Sequence, residues 1–329
     1  MKLLNLFTYA TSELSQDAFI CWLLSWALPE YKNIDNGLHQ CAIIFIQALF
    51  EKHSKEVPSK FEKIEIFQQD HNIDVLCIIN EKYALLIEDK TGTKNHSNQL
   101  ERYLEVVKKK SYKEEDILPI YFKTEDQGDY SDVLDKGYRL FLRADFLEVL
   151  NAYAGNNSIL LDYRNHLQSI ADKVESYKLL PINKWDGYSW RGFYLRLQKE
   201  LGSGNWEYVS PPKRDGFLGF YWHFHGDDIC RQYLQLEEDK FCFKIEVNNP
   251  SDWKNLRSKW HKTIKDMGHE YRLKLKKPDK FGTGKHMTVC VYDGEYRECD
   301  NNKVIDIDNT IHKLRKAEVL LKEAVKENA

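Results

Sequence analysis

At 329 residues, with 42% apolar and 30% charged residues and only 16 glycines and 8 prolines, the chain has room for two domains and lacks the composition of disordered, collagenous or low-complexity proteins. Its longest apolar stretch, 19–28, is half of a membrane span, and no small-residue cleavage site follows an apolar run near the start, so neither a membrane segment nor a secretory signal is expected. A net charge of −3 means that any binding of nucleic acid must come from a local basic surface rather than from the field of the whole chain.

Ser12 ahead of Glu13, with Phe19, Leu23, Leu24 and Trp26 at mixed three and four spacings, predicts a helix over 12–28 that Pro29 ends. A second helix is expected over 38–53, with Ile43, Ile44, Leu49 and Phe50 on its apolar side. Three β-like runs follow closely at 63–68, 72–79 and 83–90, and Asn80-Glu81-Lys82 joins the last two as a tight connection, which describes a meander. A polar turn over 91–97 leads to a helix over 98–109, where Leu100, Tyr103, Leu104 and Val107 recur at helical spacing. Strands are predicted at 117–122 and 138–142, and helices at 145–153 and 158–176. The texture then changes, and a boundary at 176–185 divides the chain into domains of 1–178 and 179–329. An aromatic- and glycine-rich stretch, 185–225, opens the second part. Strands are expected there at 206–209, 217–224, 232–236, 241–247, 270–275, 286–292 and 303–307, with helices over 251–267 and 308–326. That is a smaller α+β unit. The seven cysteines, an odd number lying mostly in apolar runs, read as packed thiols in a reducing, cytoplasmic setting.

The sharpest chemical signal lies in the second and third β runs. Both are apolar on both faces, as central strands are, yet Asp74 interrupts one and Glu88 and Lys90 end the other. A three-residue loop at 80–82 pairs Ile79 with Tyr83, and the same register sets Asp74 opposite Glu88. Strand alternation keeps Glu88 and Lys90 on that face and turns Asp89 to the other. Two carboxylates about 5 Å apart repel unless a cation lies between them. All-oxygen ligands favour Mg2+ or Mn2+, and the lysine would then face substrate or the attacking water.

This arrangement resembles the PD-(D/E)xK nuclease superfamily, through Ile73-Asp74, a 13-residue spacer, and Glu88-Asp89-Lys90; Ile73 stands where the family has proline. The resemblance covers about residues 1–155 and implies a restriction-endonuclease-like α/β core, a mixed sheet flanked by helices. It also implies that Asp74, Glu88 and the backbone carbonyl of Asp89 bind the metal while Lys90 orients the water. The acid that this family adds from its first helix would be Glu13, although Asp17 lies one turn on along the same helix face. Gln99 and Tyr103, at i and i+4 on the helix after the triplet, match a Gln-x-x-x-Tyr pair that in several branches contacts substrate or water and DNA. The resemblance thus implies an Mg2+- or Mn2+-dependent nuclease acting on DNA rather than RNA, with a homodimer for double-strand cutting and a role in defence against foreign DNA. The alternative is a nucleic-acid-binding or protein-interaction module that keeps the fold without cleaving.

Two further patterns stand outside the resemblance. Residues 254–285 carry eleven Lys and Arg against three acids, interleaved with Trp260, Tyr271 and Phe281, so that Lys274, Lys276, Lys277 and Lys285 are candidates to contact a phosphate backbone. His223 and His225 alternate along a strand near Asp227 and Asp228, a spacing that metal ligands also use.

Overall fold

The computed structural model describes residues 4–92, 98–110, 112–210 and 216–328, and the chain divides into two compact units, Met1–Asp172 and Lys173–Ala329. The polar turn read at 91–97 lies, from residue 93, outside the described residues. In the first unit α1 (Glu13–Ser25) begins at Ser12, whose hydroxyl accepts from the Ser15 N–H, and α2 (Asn36–Lys52) begins at Asp35, whose carboxylate accepts from the Leu38 N–H. The strands β1 (Ile64–Asp70), β2 (Ile73–Ile79) and β3 (Tyr83–Lys90) form the expected antiparallel meander. After α3 (Gln99–Lys108), β4 (Ile117–Lys123) pairs parallel to β3. The short helix α4 (Ser131–Asp135) then leads to β5 (Arg139–Leu142), parallel to β4, and α5 (Arg143–Asn151) and α6 (Ser158–Glu175) follow. The result is a five-stranded mixed sheet in the order β1-β2-β3-β4-β5.

Two features of this sheet position the site. The β2–β3 turn puts Asn80 and Glu81 at φ of 52° and 55°, and the Asn80 side chain accepts from the N–H groups of Glu62 and Lys63. Anchored this way, the turn fixes the register Ile79↔Tyr83 through Val75↔Ile87, so the next facing positions are Asp74 and Glu88. The sheet is also covered on both sides. Helix α3 lays Leu100, Tyr103 and Val107 against Leu76, Ile78, Ala84, Leu86 and Tyr121 on one face, while α1 and α2 pack on the strands from the other.

The second unit opens with α7 (Gly187–Leu201), a helix that the sequence reading does not include. Asp186 caps it by accepting from the Tyr188 and Ser189 N–H groups, and Gly202 closes it at φ +68°. Its Trp190, Phe193, Tyr194 and Leu197 face the core at helical spacing. The strands β6 (Asn205–Val209), β7 (Phe217–Gly226), β8 (Cys230–Glu237) and β9 (Lys240–Val247) precede α8 (Trp253–Glu270), β10 (Leu275–Lys276), β11 (His286–Tyr292) and α9 (Ile307–Asn328). They make an all-antiparallel sheet in the order β10-β11-β9-β8-β7-β6, with α7, α8 and α9 sharing its apolar core. Two expected strands are corrected. The one at 270–275 shrinks to Leu275–Lys276 because α8 runs on to Glu270 and Arg272 turns the chain at φ 54°. The one at 303–307 is replaced by isolated bridges, Pro181↔Val304 and Cys299↔Ile305. All seven cysteines are free thiols.

Candidate metal and catalytic site

On β3 alternation directs Ala84, Leu86, Glu88 and Lys90 to the face that α3 covers, and the in-register β4 adds Tyr121 and Lys123 beside Glu88 and Lys90. Asp74 joins them at the end of β2. Its Oδ2 accepts from the Asp89 N–H at 2.8 Å, so a side chain takes over where the β2–β3 ladder stops. The Asp74 carboxylate lies near enough to Glu88 to raise its pKa. Lys90, only 5% exposed, sets its ammonium 2.5 Å from Glu88, 3.6 Å from Asp74 and 3.8 Å from Glu13 at the start of α1. Glu13 also accepts from the Thr91 N–H at 3.3 Å. Of the two candidate helix acids, Glu13 therefore meets the lysine.

Asp17 faces elsewhere. Asp89 points through the opposite side of β3, where its carboxyl meets Asp17 and accepts from the Gln16 amide, and Gln16 Oε1 in turn accepts from Thr124 Oγ1 at 2.9 Å and from the Tyr163 hydroxyl at 2.8 Å. Gln69 bridges the two sides of this arrangement by donating to Asp17 at 3.0 Å and to Asp74 at 3.2 Å. Lys123, also at the buried end of a strand, donates to the Thr91 carbonyl at 3.2 Å. Gln16, Gln69, Thr91 and Lys123 are absent from the sequence-based site. Of these, Lys123 carried a readable signal, since it ends the apolar run ILPIYFK as Lys90 ends its own.

The electrostatics follow from burial. Desolvation, reinforced by Asp74 and opposed by Lys90, raises the Glu88 carboxyl to about 8. Burial works to lower the Lys90 pKa, but Glu88, Asp74 and Glu13 outweigh it and hold the ammonium above its ordinary value. On the far face burial and Asp74 lift Asp17 to about 6, and burial with Asp17 lifts Asp89 well above the carboxylate range. Three acidic side chains around one ammonium on apolar strands form a centre that favours positive charge.

A family model of the PD-(D/E)XK nuclease superfamily matches residues 4–184, a span that contains the whole of this centre. The chain belongs to the PD-(D/E)XK nuclease superfamily. No curated protein and no solved structure matches it.

PD-(D/E)XK nucleases commonly use divalent metals. Among the described residues no group of three His, Cys, Asp or Glu side chains is arranged to hold an ion as it stands. The Lys90 ammonium lies within 3.8 Å of Glu13, Asp74 and Glu88. The donors around the ammonium are all oxygen, with the Asp89 carbonyl 2.9 Å away, a donor set of the kind that hard divalent cations take.

The remaining candidates are placed as follows. Gln99 donates to the Tyr103 hydroxyl at 2.9 Å, and Tyr103, 3% exposed, packs in the core beneath α3. Tyr138 shares that core with Tyr103 and donates its hydroxyl to the Leu100 carbonyl at 3.0 Å. In the second unit Lys276 pairs with Asp293 at 2.9 Å, Lys285 with Glu246 at 3.1 Å, Lys277 lies 4.4 Å from the centroid of the Phe281 ring, and Lys274 is exposed. Part of this basic segment, with Lys240, Lys244, Lys276, Lys280 and His286, lines a cavity of about 690 Å³. The histidine spacing has a structural cause. A bulge between Trp222 and His225 brings the two imidazoles to 4.3 Å, His223 Nε2 bonds the Glu318 carbonyl, and Asp227 is engaged by the Ile229 and Cys230 N–H groups.

Proposed function

We propose that this protein is a metal-dependent nuclease that hydrolyses phosphodiester bonds in nucleic acid, DNA in preference to RNA. The observation that carries the reading is the convergence of Glu13, Asp74 and Glu88 on the Lys90 ammonium within 3.8 Å, in a chain of the PD-(D/E)XK superfamily. Asp74, Glu88, Glu13 and the Asp89 carbonyl would hold Mg2+ or Mn2+, which when bound lowers the pKa of a water and offsets charge on the leaving oxygen. Lys90, displaced from the carboxylates, turns its ammonium to the phosphate and stabilises the negative charge that builds there during in-line attack. Glu88, which burial and Asp74 raise to about 8, would bind the cation as a carboxylate, so metal binding would weaken as pH falls. Gln99 orients the nucleophilic water or a phosphate oxygen, with Tyr103 fixing its amide.

In the second unit Lys274, Lys276, Lys277 and Lys285 supply contacts to the phosphate backbone, which an otherwise acidic chain needs from a local surface. Cutting of both strands by a homodimer, a cytoplasmic setting and a role in defence against foreign DNA complete the reading. Among the described residues no helix is long and apolar enough to cross a membrane. The test is incubation of purified protein with supercoiled plasmid, linear duplex, single-stranded DNA and RNA, each with Mg2+, Mn2+ or EDTA. Cleavage of DNA that needs the metal and stops in EDTA is expected. Retention of every substrate intact, with binding preserved, would instead favour the non-catalytic module.

A further inference from the structure

Lys123 is 2% exposed at the last position of β4, directly beside Lys90 in the parallel register, on the face that carries Asp74 and Glu88. A buried ammonium costs several kcal/mol unless it is paired, and desolvation here lowers the Lys123 pKa to about 8, countered by Glu13 and Glu125. What Lys123 touches is specific: its Nζ donates to the Thr91 carbonyl at 3.2 Å. Thr91 follows the catalytic triplet, and its own N–H donates to Glu13 Oε1 at 3.3 Å. One residue thus has its carbonyl held by the second lysine while its N–H holds the helix acid, and the two lysines stand on neighbouring strands on either side of that clamp.

We propose that Lys123 is a positioning residue of the metal centre: by holding the Thr91 carbonyl it fixes the end of β3, and the Thr91 N–H in turn keeps Glu13 turned toward Asp74 and Glu88. Lys123 shares the environment of Glu13, whose charge favours its ammonium. The Arg143 guanidinium, bonded to the Thr124 carbonyl at 2.6 Å and to Asp126 at 2.7 Å, buttresses the chain just beyond Lys123 and keeps the β4 end in place.

The proposal rests on the nuclease reading for its consequence but not for its geometry, and the experiment separates the two. Lys123→Met keeps the length of the side chain and removes the donor; Lys123→Arg keeps a donor. In the metal-free protein, amide hydrogen exchange at Thr91 is expected to speed up about tenfold or more in Lys123→Met relative to the β3 amides before it, and to stay near the wild-type rate in Lys123→Arg. By titration calorimetry Lys123→Met is expected to bind Mn2+ about tenfold more weakly. Glu13→Gln, which removes the charge of the ligand itself, should weaken it at least as much, and the double variant should be no worse than Glu13→Gln alone, because Lys123 acts on the metal through Glu13. Unchanged exchange at Thr91 would overturn the clamp, and additive losses in the double variant would overturn its action through Glu13. Failure of the wild type to bind Mn2+ at all would refute the metal reading and with it the role assigned here, while the exchange data would still decide whether Lys123 holds Thr91.

Discussion

Replacing Lys90 with Met should abolish cleavage and yet tighten metal binding. The ammonium lies 2.5 Å from Glu88 and within 3.8 Å of Asp74 and Glu13, so a cation seated among those oxygens competes with it for the same charge. A unit charge and a divalent cation about 4 Å apart repel by about 8 kcal/mol at an effective dielectric of about 20, an upper limit here because the lysine stem can swing the ammonium away as the metal enters. Releasing even a sixth of that repulsion tightens binding about tenfold, since about 1.4 kcal/mol is one decade in the dissociation constant. Cleavage moves the other way. Loss of one preorganised charge at a developing anion costs on the order of 100-fold or more in rate. Mn2+ titration calorimetry and single-turnover cleavage on the same preparations measure the two effects. A Lys90→Met protein that binds Mn2+ more weakly than the wild type would refute the view that Lys90 competes with the cation. One that cuts normally would remove Lys90 from the catalytic set.

Asp89→Asn, next in sequence and equal in charge change, should lower cleavage by less than about threefold, because that side chain lies among Gln16 and Asp17 on the other face and an asparagine amide can still donate to Asp17. Equal damage from Asp89→Asn and Lys90→Met in parallel single-turnover assays would dissolve the distinction between the two faces. Stability of the metal-free protein should fall between about pH 4.5 and 8. The Glu88 carboxyl is raised in the folded state from 4.5 to about 8, so its contribution is full below the unfolded value and is lost as pH rises through the folded one; Asp17 and Asp89 act in the same direction. Urea midpoints measured across that window should decline less steeply for Glu88→Gln, and identical slopes would show that Glu88 does not carry the raised pKa.

Much of the site was legible because it depends on local rules. A three-residue turn and period-two alternation sufficed to set Asp74 against Glu88, to bring Lys90 onto their face and to send Asp89 to the other, and β2 and β3 pair in that register. The support around it was less legible because it is assembled from distant segments. Gln16 on α1 meets Asp89, Thr124 and Tyr163 across 73, 108 and 147 residues, and only the fold brings them together. Lys123 was readable as a charge ending an apolar strand but has no fixed spacing from the triplet. In the second unit the aromatics of α7 suit strands as well as helices, so the helix is marked chiefly by its Asp186 and Gly202 caps. Val304, Ile305 and Ile307 suggest a strand, yet only single bridges form there.

The central claim is that Asp74, Glu88 and the Asp89 carbonyl hold a divalent cation which Lys90 vacates. Anomalous diffraction from crystals of the wild-type protein soaked in Mn2+ tests it most directly. The account predicts one strong peak about 2.0–2.3 Å from an oxygen of Asp74 and of Glu88, with Glu13 turned toward it and the Lys90 ammonium no longer in contact with Glu88. Mn2+ bound elsewhere, with Lys90 still seated among the three carboxylates, would contradict it.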